Sequence, residues 1–237
     1  RREAKSGGRN VIKRVMPRQN ESVNEIWICD KGRFTYSYAE SRERLTQPMV
    51  RKNGELMPVS WDEAINTASE KIRAAGRSFF SLVSGRLCNE DLYAVKRLSP
   101  KIALYSSMGG GEWASRVGMA QGSDLSKLEK GSTILVFGSD LHEEAPLWWL
   151  RVKQAAERGA TLIVVNPRET KLDRYASYVV RYSYGDEVKA IQSLTRKGKI
   201  GDAFVNADSA VVFFGSEGLG LQGSKALASA CARALHD

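Results

Sequence analysis

Apolar residues recur along this chain with two periods, and the pattern changes character at Pro58. Beyond it, stretches of helical spacing alternate with short runs that are apolar at every position, the signature of helices covering a buried sheet. Ser60-Trp61-Asp62-Glu63 is a capping box, which predicts a helix start. Trp61, Ala64, Ile65, Ala68, Ile72 and Ala75 follow on one helical face, and Gly76 supplies the left-handed stop. Phe79–Val83 reads as a covered parallel strand, and Asn89–Leu98 as a helix halted by Pro100.

The clearest unit runs from Thr133 to Asn166. A strand, Thr133–Phe137, passes through Gly138 into a helix with Pro146 near its first turn and with Leu147, Leu150, Ala155 and Ala156 along it. Gly159 ends that helix before a second strand, Ala160–Val165. A third unit follows: strand Ala210–Phe214, the glycine-rich turn Gly215–Gly220, and an alanine-rich helix to Leu235. The polar segment Thr195–Asp208 reads as a loop or a truncated connection. Strands alternating with helices predict an α/β fold with a parallel sheet in Rossmann-like layers. The first fifty residues predict a small β-rich module without a complete core, β-like at Asn10–Val15, with a turn at Pro17 and Gln19-Asn20 and a short apolar run at Ile26–Ile28. The expected division is therefore 1–50 and 51–237.

At 27% charged and 42% apolar residues, the chain is neither a disordered tail nor a disulfide-stapled miniprotein. Its apolar runs fall far short of the roughly 18 residues a membrane span requires. Three cysteines suit a reducing compartment, and the start at Arg1 suggests a piece of a longer chain. The net charge of +9 is local: residues 1–52 carry 13 Lys and Arg against 6 Asp and Glu, a net of +7, leaving +2 for the remaining 185. A basic stretch alone raises nucleic acid as a partner.

Several residues are chemical candidates. Gly215, Gly218 and Gly220 follow a strand and open a helix, where backbone amides can face a phosphate, but they lack the GxGxxG spacing and serve tight strand–helix packing equally well. Arg168, in Asn166-Pro167-Arg168, sits at the carboxyl end of a strand, where a guanidinium can grip an anion or simply cap the loop. His142 has one other histidine in the chain, His236, so neither a zinc site nor a histidine-based hydrolase is expected. Asp140, Glu143 and Glu144 place negative charge at a helix start. Cys88 precedes a helix and Cys231 lies within one, and both read as packing residues. Cys29 differs, because Lys31 and Arg33 in the same glycine-containing turn favour a metal-ligating thiolate.

The stretch Asn24–Phe34, reading NEIWICDKGRF, resembles the end of the 4Fe–4S domain that opens the molybdopterin oxidoreductase family, and its wording is similar to the respiratory complex I branch of that family. Arg44–Pro48, the Trp61–Ala64 helix start, Gly138–Pro146 and Arg158–Arg168 are similar to the same branch. The resemblance implies that Cys29 is the last of four cluster ligands, the other three lying upstream. It also implies that Lys31 stands where catalytic relatives carry a lysine between cluster and pterin. Catalytic relatives ligate molybdenum or tungsten through a cysteine, selenocysteine or serine, sought here at Tyr105–Ser115, where no cysteine is present. Asn166 stands where many pterin-binding relatives have aspartate.

The expectation is therefore an iron–sulfur and scaffold subunit of an NADH-quinone oxidoreductase, supporting electron transfer from NADH to quinone. A 4Fe–4S cluster would belong to the complete subunit, molybdopterin would be absent, and no residue of this chain would be catalytic. Arg168, Gly215, Gly218, Gly220 and Lys31 would be vestigial pterin-type positions. Implied partners are the other complex I subunits, especially the NADH-oxidising peripheral arm, at the cytoplasmic side of the inner membrane, with no nucleic acid and no direct membrane insertion. The alternative is the catalytic subunit of a pterin-dependent molybdenum or tungsten oxidoreductase, such as formate dehydrogenase.

Overall fold

A computed structural model describes residues 10–99, 101–105, 108–117, 124–194, 198–215 and 219–236. In chain order the elements are α1 (Asp30–Phe34), β1 (Met49–Lys52), β2 (Glu55–Pro58), α2 (Trp61–Ala75), β3 (Ser81–Ser84), α3 (Asn89–Leu98), β4 (Ile102–Tyr105), α4 (Gly111–Val117), β5 (Ser132–Phe137) and α5 (Leu141–Glu144). They continue with α6 (Pro146–Glu157), β6 (Thr161–Val165), β7 (Tyr178–Val180), α7 (Glu187–Leu194), α8 (Lys199–Val205), β8 (Ser209–Phe214) and α9 (Gly220–His236). The chain divides into two compact units, one of residues 1–13 and 35–106, the other of residues 14–34 and 107–237.

In the first unit, β1 and β2 form an antiparallel hairpin, which the sequence pattern did not reveal. Asn53 and Gly54 both take positive φ, 51° and 89°, as a two-residue hairpin turn requires. The expected cap of α2 is present, with Ser60 Oγ accepting from Glu63 N at 3.2 Å, but the Glu63 carboxylate is engaged by Lys52 Nζ at 2.5 Å. Gly76 ends the helix at φ 50°. β3 and β4 pair in parallel across α3. The expected two-sided cover of Phe79–Val83 is corrected here: Val83 is buried, yet Phe80 and Leu82 are 53% and 64% exposed. Asn10–Val15, expected to be β-like, is also corrected. Only Asn10 forms a bridge, and the segment is tied instead by Ile12 N donating to Glu40 Oε1 and by Tyr36 Oη donating to Lys13 O.

The second unit holds the main core. Its four-stranded sheet has the order β7-β6-β5-β8, all parallel, and β5 is buried along its whole length. Alternate residues of β5 point to opposite faces. Ile134 and Val136 join α6 (Val152, Ala155) on one face, while Leu135 and Phe137 join α7 (Ile191, Leu194) and α9 (Leu227, Cys231) on the other. Residues 134–137 are all fully buried, each such side chain contributing about 1.5–3 kcal/mol.

Pro146 begins α6, as expected, and Gly159 follows its end at φ 96°. Thr195–Asp208, expected as a loop, contains α8, because Ile200 and Phe204 are drawn onto the second face of the sheet. Among the described residues no helix is long and apolar enough to cross a membrane.

Candidate functional site

Open parallel sheets bind ligands where the strand order reverses, outside the strands' carboxyl ends. Here the chain runs β5 to β6 to β7 in one direction and then places β8 on the other side of β5, so the reversal lies between β5 and β8. Each of the two strands ends in a glycine. Gly138 takes φ 57° and donates to Val165 O at 2.8 Å, while Gly215 donates to Phe137 O at 2.9 Å. A β-carbon on Gly215 would fall 2.2 Å from Gly138 O.

Beside them, Asn166 is fully buried and holds three groups together. Its amide N donates to Val180 O at 3.2 Å, its Nδ2 to Ser139 O at 3.4 Å, and its Oδ1 accepts from Arg168 N at 3.1 Å. Arg168 Nη1 pairs with Asp140 Oδ2 at 3.0 Å. Glu144 closes the edge, accepting from Asp140 N at 3.2 Å and from Ser139 Oγ at 3.1 Å. The acidic residues expected at the helix start thus split: Glu144 serves backbone and hydroxyl, and Asp140 serves Arg168.

In a glycine-rich anion cradle, open backbone amides at a helix N-terminus face the anion. Gly215 is instead pressed against Gly138, and Arg168 is neutralised by Asp140. Gly220 opens α9 at φ 63° with no heavy atom of the described residues within 4 Å of where a β-carbon would lie, and Gly218 lies outside the described residues. The described residues at this edge form a stitched structural seam, in which Gly215 is already packed on Gly138 and Arg168 is already paired with Asp140.

Cys29 and Lys31 lie on a different part of the same unit, at the start of α1. Cys29 is half-buried, and its carbonyl accepts from Arg33 N at 3.0 Å. A β-carbon on Gly32 would lie 3.1 Å from the Ile28 side chain and 3.8 Å from Cys29 Sγ, so the close approach of Ile28 is what favours glycine here. Cys231 is 2% exposed on α9, and burial pushes its thiol up to about 12, which keeps it protonated and unsuited to a metal. Among the described residues no group of three or more His, Cys, Asp and Glu could hold a metal ion. Cys29 thus has no group of metal-ligating side chains around it among the described residues.

Upstream of Cys29, a tight turn is closed by Asn20, whose carbonyl accepts from the amides of Val23, Asn24 and Glu25, and Glu25 stands at φ 49°. Arg151 of α6 reaches this turn. Its Nη1 pairs with Glu25 Oε1, its Nη2 donates to Glu21 O at 2.5 Å, and its Nε to Val23 O at 3.4 Å. Arg151 is 5% exposed. Sequence reasoning passed over it, although a single charge inside the apolar run Leu147–Val152 is the signal that points to a buried partner.

Residues 44–232 match the family described as molybdopterin oxidoreductase, and residues 5–37 match the NADH-ubiquinone oxidoreductase NDSU1/NuoG-like, 4Fe-4S domain. The G subunit of NADH-quinone oxidoreductase from Streptomyces coelicolor is 34% identical over 173 residues, covering 62% of this chain and 20% of that protein. The second G subunit of the Rhizobium meliloti enzyme is 28% identical over 221 residues, covering 86% and 26%. The alpha subunit of F420-dependent formate dehydrogenase 2 from Methanococcus maripaludis is 27% identical over 195 residues, covering 76% and 28%. This chain thus spans about a fifth to just over a quarter of these relatives. In fold it is similar to acetylene hydratase from Pelobacter acetylenicus, with a TM-score of 0.61 at 14% identity, covering 94% of this chain and 39% of that one. With one family's model matched from residue 44 to residue 232 and a parallel α/β sheet of the same type, the chain belongs to the molybdopterin oxidoreductase family.

Proposed function

We propose that this chain is part of the large iron–sulfur subunit of an NADH-quinone oxidoreductase, in which Cys29 furnishes one thiolate ligand of a 4Fe–4S cluster and the parallel sheet is scaffold. The observation that carries the reading is the position of Cys29, half-open at the start of α1, inside the segment that matches a 4Fe-4S domain. Residues 1–50 are then the end of the cluster domain, and residues 51–237 part of the α/β body.

The bound cluster supplies one-electron transfer. Cys29 would hold one of its irons, and Lys31 and Arg33 would bring positive charge to an anionic group. In this reading none of the described residues is assigned the part of acid, base or nucleophile. In this reading the partners are the other subunits of the complex, in particular those of the NADH-oxidising peripheral arm, on the cytoplasmic side of the inner membrane. Iron and acid-labile sulfide analysis of the complete subunit tests it. Cys29→Ser is expected to lower the cluster count, and an unchanged count would refute the ligand assignment.

A second reading is supported by the formate dehydrogenase alpha subunits among the relatives. In it the protein is a pterin-dependent oxidoreductase, with Lys31, Arg168, Gly215, Gly218 and Gly220 at pterin-type positions. The Arg168–Asp140 pair and the Gly138–Gly215 contact weigh against it. Stoichiometric molybdenum or tungsten in the complete protein would reverse the preference.

A further inference from the structure

We propose that Arg151 is the positioning residue of the Cys29 ligand: from inside the sheet unit it grips the turn of residues 20–27 and so fixes where the thiolate is presented. This rests on the reading of Cys29 as a cluster ligand.

Three observations on one side chain carry the inference. Arg151 is 5% exposed, on a helix whose neighbours Val152 and Ala155 are fully buried in the core, so its base cannot swing. All three of its nitrogens are spent on one short stretch, at Glu21 O, Val23 O and the Glu25 carboxylate, across sequence separations of 126 to 130 residues. Glu25, its ionic partner, is held in the left-handed region, which a non-glycine side chain adopts only where its surroundings impose it. The neighbouring Asn24 then links the grip to the ligand, its Nδ2 donating to Trp27 O at 2.9 Å while Trp27 N donates to Asn24 O at 2.8 Å. Two residues later comes Cys29. Arg151 is buried while its partner Glu25 keeps about a third of its side chain exposed, and an ion pair of this kind is weak as a source of stability, so we read it by what it places. What it specifies here is the placement of one segment of chain. Local hydrogen bonds alone would hold the turn's shape and leave its position on α6 unset.

The test uses the complete subunit in its assembled complex, comparing wild type with Arg151→Met, Arg151→Lys, Glu25→Gln and Cys29→Ser. The readouts are iron and sulfide content, the electron paramagnetic resonance g-values and midpoint potential of the cluster, and hydrogen exchange of residues 20–29 against β5. In Arg151→Met, exchange in residues 20–29 is expected to quicken severalfold or more, with β5 still protected. Its cluster g-values and potential shift, or the cluster is lost. Arg151→Lys, which keeps the charge but has a single nitrogen, restores the signature in part. Retention of both the wild-type exchange and the wild-type cluster signature in Arg151→Met overturns the proposal. If Arg151→Met also deprotects β5, Glu25→Gln decides, since it spares both backbone contacts. A shifted signature then supports the positioning role, and an unshifted one overturns it. An unchanged cluster count in Cys29→Ser refutes the ligand reading independently of any result at Arg151.

Discussion

Gly215 lies directly against Gly138, so that any β-carbon at position 215 would sit 2.2 Å from the Gly138 carbonyl oxygen and 2.9 Å from Ser139 Cα. The obstacle is backbone on the neighbouring strand, which cannot rotate away as a side chain would. Gly215→Ala is therefore expected to destabilise the sheet unit by about 1–3 kcal/mol or more. Urea unfolding followed by tryptophan fluorescence measures this, and a loss below about 0.5 kcal/mol would refute the backbone account.

The glycines before α4 offer an internal comparison. Gly110 has φ 93°, and a β-carbon there would meet Ala228 Cβ at 2.3 Å, whereas Gly111 has nothing within 4 Å. Gly110→Ala should be strongly destabilising, while Gly111→Ala should be neutral or stabilise by about 0.4–1 kcal/mol. Equal effects in the same unfolding assay would contradict this placement of α4 against α9.

Asn166 is fully buried with both ends of its amide engaged. Asn166→Ala leaves Arg168 N and Ser139 O without these partners, and a loss of about 1–3 kcal/mol is expected. Asp140→Asn, which weakens a pair whose arginine is 45% exposed, should cost about 1 kcal/mol or less. The reverse ranking would mean that the ion pair, not the amide, holds the edge.

Burial raises the Cys231 thiol from 9.0 to about 12. The folded protein keeps this proton after the unfolded chain has released it, so the contribution to stability is complete below about pH 9 and is lost as pH rises toward 12. The decline approaches about 1.4 kcal/mol per pH unit within that window. Urea unfolding between pH 8 and 11 should show a shallower decline for Cys231→Ala than for wild type. Parallel profiles would show that Cys231 does not titrate as its burial requires.

Gln154 Oε1 is buried with no hydrogen-bond partner among the described residues, in the wall shared by α6 and the turn of residues 23–27. A carbonyl left unsatisfied is costly, so Gln154→Met, which preserves length and removes the polar atom, should be neutral or stabilising. A loss above about 1 kcal/mol in thermal unfolding would argue for a partner at this oxygen.

The sheet was legible because burial on both faces leaves β5 and β6 as unbroken apolar runs, and because Pro146 and Gly159 mark the ends of α6. The seven-residue α8 was not, since two apolar residues, Ile200 and Phe204, reveal a helix only once there is a sheet to receive them. β4 and β7 are four and three residues long, too short for a period to declare itself. The site divided the same way. Cys29 and Arg168 could be named from their immediate neighbours, but Arg168's counter-charge is 28 residues away and Arg151's is 126. Such pairs leave no trace in local spacing.

Arg151 also sets a timetable. Glu25 leaves the ribosome 126 residues ahead of the side chain that will receive it, which at roughly 5–20 residues per second is a delay of about 6–25 s. Throughout that interval the Cys29 segment has no α6 on which to rest, while residues 35–106 are made in between. In the proposed reading of Cys29 as a ligand, its sulfur is exposed to iron, oxidants and other thiols before its seat exists. Any machinery that loads a metal at Cys29 therefore meets two different substrates: a loose peptide early in synthesis, and a fixed one after α6 has closed on it.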